Sequence, residues 1–205
     1  MKRAPIKKPE DRYHHGDLRR ALVAAALSLL EKSRGDLSEF TLRAVATKAG
    51  VSPGAPYHHF EDKVALLAAI AEDGFLELGS AMASSVDNAS DTKVVERVVR
   101  AYLGWAKMHP AQYRVMFFPE LKEARFESIR AVAAGALAQW AEYLRVVKRG
   151  RTSQEAQALA VTLWSATHGF LQIALEGLWD KPGLPGMRAL EEQLIEHLCT
   201  LAGER

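Results

Sequence analysis

Between Thr41 and Lys63 the chain reads TLRAVATKAGVSPGAPYHHFEDK, a stretch dense in side chains that donate hydrogen bonds or carry positive charge: Thr41, Arg43, Ser52, Tyr57, His58, His59 and Lys63. Hydroxyls, an ammonium and a helix N-terminus can fix a protein on phosphates, while a guanidinium or imidazole can read base edges. Pro53 and Gly54 stand among them, and Gly54, lacking a Cβ, lets the backbone approach a partner surface closely.

The elements that must position these groups are two short helices joined by a tight turn. Thr41 can cap a helix carrying Leu42, Val45, Ala46 and Ala49 on one apolar stripe, with Arg43, Thr47 and Lys48 off it. Gly50 falls where a left-handed C-cap is needed, Val51 can return to the core, and Ser52 can cap a second helix with Pro53 at its first position. Cap, Gly, apolar residue, cap is the punctuation of a helix-turn-helix. The second helix ends in Tyr57, His58, His59 and Phe60, one apolar anchor among polar groups that packing alone does not require. Pro56 would be its fourth residue; it also disfavours helical dihedrals at Ala55, so the start of this helix is expected to be irregular.

The segment GVSPGAPYHHFEDKVALL resembles the recognition helix and following helix of the TetR family of bacterial transcriptional regulators, and the likeness extends over about residues 16–78. Pro56 departs from it, standing where the family more often has a branched apolar residue. The resemblance implies an all-α chain: a three-helix DNA-binding domain over 16–62, then a helical effector-binding and dimerisation domain over 63–205. It implies backbone and base contacts for Thr41 and Arg43, the recognition-helix cap for Ser52, groove or phosphate contacts for Tyr57, His58 and His59, and a phosphate contact for Lys63. WSATHG (164–169) and HPAQYRVMFFPEL (109–121) resemble, less specifically, the C-terminal domain of one branch of that family. The mode of action implied is a homodimeric repressor that leaves a palindromic operator when a small ligand binds.

Charge is distributed in keeping with this. Residues 1–65 hold 12 Lys/Arg against 8 Asp/Glu, and residues 66–205 hold 15 against 17. Residues 1–15 open with MKRAPIKKPEDR, basic and interrupted by Pro5 and Pro9, and are expected to form a flexible arm able to reach phosphates or a minor groove. From Asp17, Leu18, Leu22, Ala25 and Leu29 line a first helix that ends before Gly35. Glu61 and Asp62 suit the N-terminus of a longer helix bearing Val64, Leu67, Ala71, Phe75 and Leu78.

Beyond a linker at Ser84–Thr92, helices are expected over Val94–Lys107, Pro110–Phe117, Glu120 or Lys122 to Val147 and Ser153–Trp179. A last one follows Pro185 or Gly186 and carries Leu190, Leu194, Leu198 and Leu201, making about nine in all. Ser153–Trp179 is apolar on nearly every face and must be covered on two sides; pairing it and the last helix with a second copy would give a four-helix interface. Tyr102, Trp105, Met108, Met116, Phe117, Trp140, Trp164, His168 and Phe170 are the candidates to line an effector pocket, with Tyr102 and His168 as polar handles. Ordinary core is the competing reading for each of them.

Other chemistries find little support. His14–His15 and His58–His59 are adjacent pairs rather than i, i+4 ligand pairs, so no metal or cofactor is expected. No nucleophile–base set or paired carboxylates can be argued for an enzyme. Cys199 is the single cysteine, which suits a reducing compartment and a buried role. No stretch approaches the roughly 18 consecutive apolar residues of a membrane span, so no membrane partner and a cytoplasmic location are expected. Two alternatives stay open: a DNA-bound regulator without a small-molecule effector, and a small-molecule enzyme or carrier.

Overall fold

The structure, a computed structural model, describes residues 15–33, 35–37, 40–86, 93–147, 150–177 and 185–204. Among the described residues there are eight α-helices, three short 3-10 helices and no strand. The chain divides into two compact units, Met1–Leu66 and Leu67–Arg205. The basic arm expected over residues 1–15 lies outside the described residues except for His15, which opens the first helix.

In the first unit α1 (His15–Lys32) packs against α2 (Leu42–Ala49), which in turn meets a four-residue 3-10 helix, Ala55–His58. Leu22, Ala25, Ala26 and Leu30 of α1 are buried with Phe40, Leu42, Val45, Ala46 and Phe60. Of the stripe anticipated on α1, Leu18 and Leu29 are only half-buried; Ala26 and Leu30, a step around the helix, complete the core instead. Thr41 caps α2, its Oγ1 accepting from the Ala44 N–H at 3.1 Å. At the other end Gly50 has φ +70°, and the Val51 N–H donates to the Ala46 carbonyl at 3.0 Å. A side chain at Gly50 would be strained in that left-handed conformation, which is why the turn needs glycine there.

The second helix of the motif departs from the expectation. Ser52 caps nothing: its carbonyl accepts from Ala55, and the 3-10 helix begins after Gly54 with no side-chain cap. Pro56 accounts for this. Its ring removes a donor and restricts Ala55, so an α-helix cannot start at Pro53, and the tighter i, i+3 turn takes over. Pro56 is itself buried, and its carbonyl accepts from both His59 and Phe60 at 2.9 Å.

Helix α3 (Lys63–Ser84) begins in the first unit and continues into the second; the Asp62 Oδ1 caps it by accepting from the Ala65 N–H at 2.8 Å. The second unit continues with α4 (Val94–Met108), α5 (Pro110–Met116), two 3-10 helices at Pro119–Lys122 and Ala124–Phe126, α6 (Glu127–Val147), α7 (Ser153–Leu175) and α8 (Met187–Ala202). The helix expected from Glu120 or Lys122 therefore starts later. Leu121 and Phe126 both turn inward, Glu123 between them is extended, and Arg130 donates to the carbonyls of Lys122 and Glu123 that this break leaves open.

Helix α7 packs against α4, α6 and α8. Its N-terminus carries a reciprocal capping box: the Thr152 Oγ1 accepts from the Glu155 N–H at 3.2 Å while the Thr152 N–H donates to the Glu155 carboxylate at 2.7 Å. It ends at Leu175, before Gly177 at φ +68°, and Trp179, expected within it, lies outside the described residues. By length and composition alone α7 is apolar enough to cross a membrane, contrary to the expectation that no segment comes close. Its Ala156, Leu159, Ala160, Leu163 and Leu171 are buried within the unit, so packing accounts for much of that apolarity. Glu204, buried just past α8, accepts from the Val95 and Glu96 N–H groups at 2.9 and 3.2 Å and caps α4, which has no side-chain cap of its own.

Candidate functional site

The first unit gathers the polar side chains singled out between Thr41 and Lys63 around α2 and the 3-10 helix. Arg43, Thr41, Ser52, Pro53, Gly54, Tyr57, His58 and Lys63 are exposed, and His59 is half-buried. Tyr57 is the clearest departure from packing: an aromatic ring 60% exposed on an element whose Pro56 and Phe60 neighbours are buried. Phe60 anchors the element, with the Arg19 guanidinium 5.6 Å over its ring. Lys63 stands at the first position of α3, where a cation faces the positive end of the helix dipole, a placement that favours meeting an anion over stabilising the helix.

The second unit holds a half-open cavity of about 600 Å³. Phe75, Leu78 and Met82 of α3, Val98 and Tyr102 of α4, Phe117, the Ala133–Ala136–Leu137 face of α6 with Trp140 and Tyr143, and Leu163, Trp164 and Thr167 of α7 line it. Small residues on α6 leave the space; aromatic ones on α4 and α7 give it shape. No lining residue carries a formal charge. Of the residues expected to line a pocket, Tyr102, Phe117, Trp140 and Trp164 do. Trp105, Met108, Met116, His168 and Phe170 do not. Trp105 is buried against His109, Met116 is buried beside Gly74, and Met108 points outward at 76% exposure. Those three follow the helical phase of α4 and α5 rather than their chemical type.

Behind the wall runs a chain of polar groups. The Tyr102 hydroxyl lies 2.9 Å from that of Tyr113, which lies 2.7 Å from His168 Nδ1; His168 Nε2 lies 3.4 Å from the Gln172 amide. Burial pushes Tyr102 up to about 12, and Tyr113 is raised further by burial with Tyr102 beside it. Burial lowers His168 from its ordinary value. Both phenols are therefore protonated and the imidazole neutral at pH 7. Sequence reasoning found Tyr102 and His168 but missed Tyr113, the link between them. The signal available was the i, i+4 spacing of Tyr113 on α5 and Phe117 at its C-cap, whose rings stand 5.1 Å apart. The alanine face of α6 and Thr167 were also missed, small residues being the least conspicuous lining a cavity can have.

Cys199, expected to be buried, is only half-buried on α8. Burial, with Glu204 nearby, pushes the Cys199 thiol up to about 11, so it is protonated and a poor nucleophile. Among the described residues no group of three or more His, Cys, Asp or Glu side chains could hold a metal ion.

A small helix-turn-helix unit with an outward-facing polar edge, followed by a separate all-helical unit, is the arrangement of a class of DNA-binding transcription regulators. Residues 22–70 match the family described as bacterial regulatory proteins, tetR family, and residues 95–198 match the tetracyclin repressor-like C-terminal domain. The chain belongs to the TetR family of transcriptional regulators and is not an enzyme. Among solved structures it is similar to a protein of unknown function from Rhodococcus sp. RHA1, with 28% identity, TM-score 0.74, and coverage of 94% of this chain and 97% of that one. It is also similar to a TetR-like transcriptional regulator from the same organism (20%, TM-score 0.64, 94% and 100% covered) and to the fatty acid degradation regulator FadR from Bacillus halodurans (16%, TM-score 0.65, 98% and 100% covered). At these last two identities the likeness shows the fold alone.

Proposed function

We propose that the protein is a cytoplasmic, homodimeric repressor that binds a palindromic operator and is released from it when a small, largely apolar ligand occupies the cavity of the second unit. The observation that carries this reading is the pairing of two features on separate units: exposed donors around a helix-turn-helix, and an apolar cavity of about 600 Å³, a volume typical of small-molecule sites. A filled core would have favoured regulation without an effector, and the cavity removes that support. The ligand acts by differential affinity: bound more tightly by the conformation whose recognition elements are wrongly spaced for DNA, it draws the dimer away from the operator.

On DNA, Thr41, Ser52, Tyr57, His58, His59 and Lys63 make backbone or groove contacts, Pro53 and Gly54 allow close approach, and Arg43 reads a base edge. Binding measured on operator and unrelated duplexes across a salt series tests this division. Lys63→Ala is expected to weaken binding to both duplexes alike and to reduce the salt slope by about one unit, whereas Arg43→Ala is expected to relax base preference at one position of each half-site. Equal losses on every sequence for both variants would contradict it.

A further inference from the structure

We propose that the cavity takes an uncharged molecule made of an aromatic ring and an unbranched apolar chain, the ring seated among Phe75, Tyr102, Phe117 and Trp164 and the chain running along α3 past Gly79 toward Met82. This rests on the reading of the cavity as the effector site. Shape is the first observation. Residues 75–83 of α3 and 133–143 of α6 line the space, about 12 and about 15 Å of helix at the usual rise, whereas α4 and α7 contribute about one turn each, over 98–102 and 163–167. The space is therefore elongated and lies lengthwise along α3 and α6. Buried Val98, Val99 and Tyr102 form its floor, and the exposed Ala83, Ala134 and Gln139 mark its open side.

The chemistry changes along that length. At one end rings from four segments support one another. Phe75 stands edge-on to Phe117 at 5.7 Å; Tyr113 joins Phe117 at 5.1 Å and Tyr102 at 6.0 Å; His168 joins Phe117 at 4.2 Å and Trp164 at 5.3 Å. Tyr113 and His168 stand behind the wall and tie together the four rings that line it, so the place for a further ring is preformed. From Phe75 onward, α3 carries the lining away from this cluster without another ring, through Leu78, Gly79, Met82 and Ala83. A Cβ at Gly79 would meet nothing within 4 Å, and Met82 is the most adaptable of apolar side chains, which suits a chain better than a second rigid ring. The rings that α6 contributes, Trp140 and Tyr143, are stacked on each other within 15° of parallel. No lining residue is charged, so an ionised group on the seated ring would lie among rings without a counter-charge. Tyr102, Gln139 and Tyr143 can each donate or accept, so the wall ranks ligands by shape and charge rather than by the sense of one hydrogen bond.

The test is equilibrium dialysis of the full chain at neutral pH, without DNA, against phenyl alkyl ketones of increasing chain length: butyrophenone, hexanophenone, octanophenone and dodecanophenone. Affinity is expected to rise about threefold per methylene as far as octanophenone and no further for dodecanophenone, whose chain outruns the roughly 15 Å of the cavity. Para-hexylbenzoate, charged on the ring, should bind at least about tenfold more weakly than hexanophenone. Gly79→Leu fills the chain's path in a helix that tolerates the side chain, so octanophenone should lose its advantage while butyrophenone stays within about twofold of its original affinity. Phe117→Leu should weaken hexanophenone about threefold and methyl decyl ketone, which has no ring, far less; a general loosening of the fold would weaken both alike. Affinity that keeps climbing through dodecanophenone, or is flat from butyrophenone onward, overturns the proposal. So does benzoate binding as tight as the ketone, an unchanged length series in Gly79→Leu, an equal loss of both ketones in Phe117→Leu, or no saturable binding of any phenyl ketone. DNA release is read separately: ketones that bind with this pattern yet leave operator DNA bound would uphold the ligand class and sink the release mechanism.

Discussion

His168 sits half-buried between the Trp164 ring, stacked at 5.3 Å, and the Phe117 ring at 4.2 Å, with Nδ1 on the Tyr113 hydroxyl. Burial lowers its pKa below the ordinary 6.5, and the sign of the consequence is fixed. Above pH 6.5 folded and unfolded chains both carry it neutral. As the pH falls below that value the unfolded chain takes up a proton that the folded site resists, so stability drops until the folded ring is protonated as well. Thermal denaturation between about pH 7.5 and about pH 5.5 should show a loss of stability on acidification that is smaller in His168→Gln; an identical pH dependence in the variant would contradict the assignment. At this scale the sequence was legible for the exposure of Arg43 and Tyr57 and for the place of Tyr102 in the cavity wall, whereas His168 lies behind that wall. It was not legible for Trp105, Met108 and Met116, because composition says nothing about which way a helix is turned.

Among the elements, α4 depends on a residue remote in sequence. Lys93 precedes it without a side-chain cap, and the carboxylate of Glu204 accepts from its first N–H groups instead. Bonds from backbone donors to a buried charged acceptor at the positive end of a helix are worth more than neutral ones. Glu204→Gln is expected to cost about 1–3 kcal/mol, measured as a lower urea midpoint; an unchanged midpoint would show that solvent caps α4 equally well. No local pattern announces this cap, since the two partners are joined only by the packing of α4 on α8. The helix-turn-helix is the opposite case. Thr41 and Gly50 are local signals and both act as their chemistry dictates. Ser52 fails as a cap because Pro56, also local, imposes a stronger restriction, and the recognition element shortens to Ala55–His58.

For the molecule as a whole, the outward side of α7 carries the assembly argument. Val161 and Ile173 are exposed at 46% and 38%, on a face shared with the small residues Ala158, Thr162 and Ser165, while Leu201 is exposed on α8. Apolar groups beside small ones let two helices approach closely, and a twofold axis there would bury both copies of the face at once. Val161→Glu or Ser165→Arg is therefore expected to yield a monomer in sedimentation analysis and to weaken operator binding severely, with helix content by circular dichroism unchanged. A dimer that persists in both variants would move the interface elsewhere. That α7 needs cover on more than one side was readable from its apolar residues; where its inner side packs was not, because α4, α6 and α8 share it in proportions that only the fold sets.

The central claim is that two copies of one short recognition element read a symmetric DNA site. Selection of bound duplexes from a random pool by the purified protein tests it most directly, at near-physiological salt because low salt inflates sequence-independent binding. The account predicts enrichment of a palindrome whose half-sites are centred about one helical turn apart or slightly more. Recovery of an asymmetric single site, or of no preferred sequence above salt-sensitive background, would contradict it.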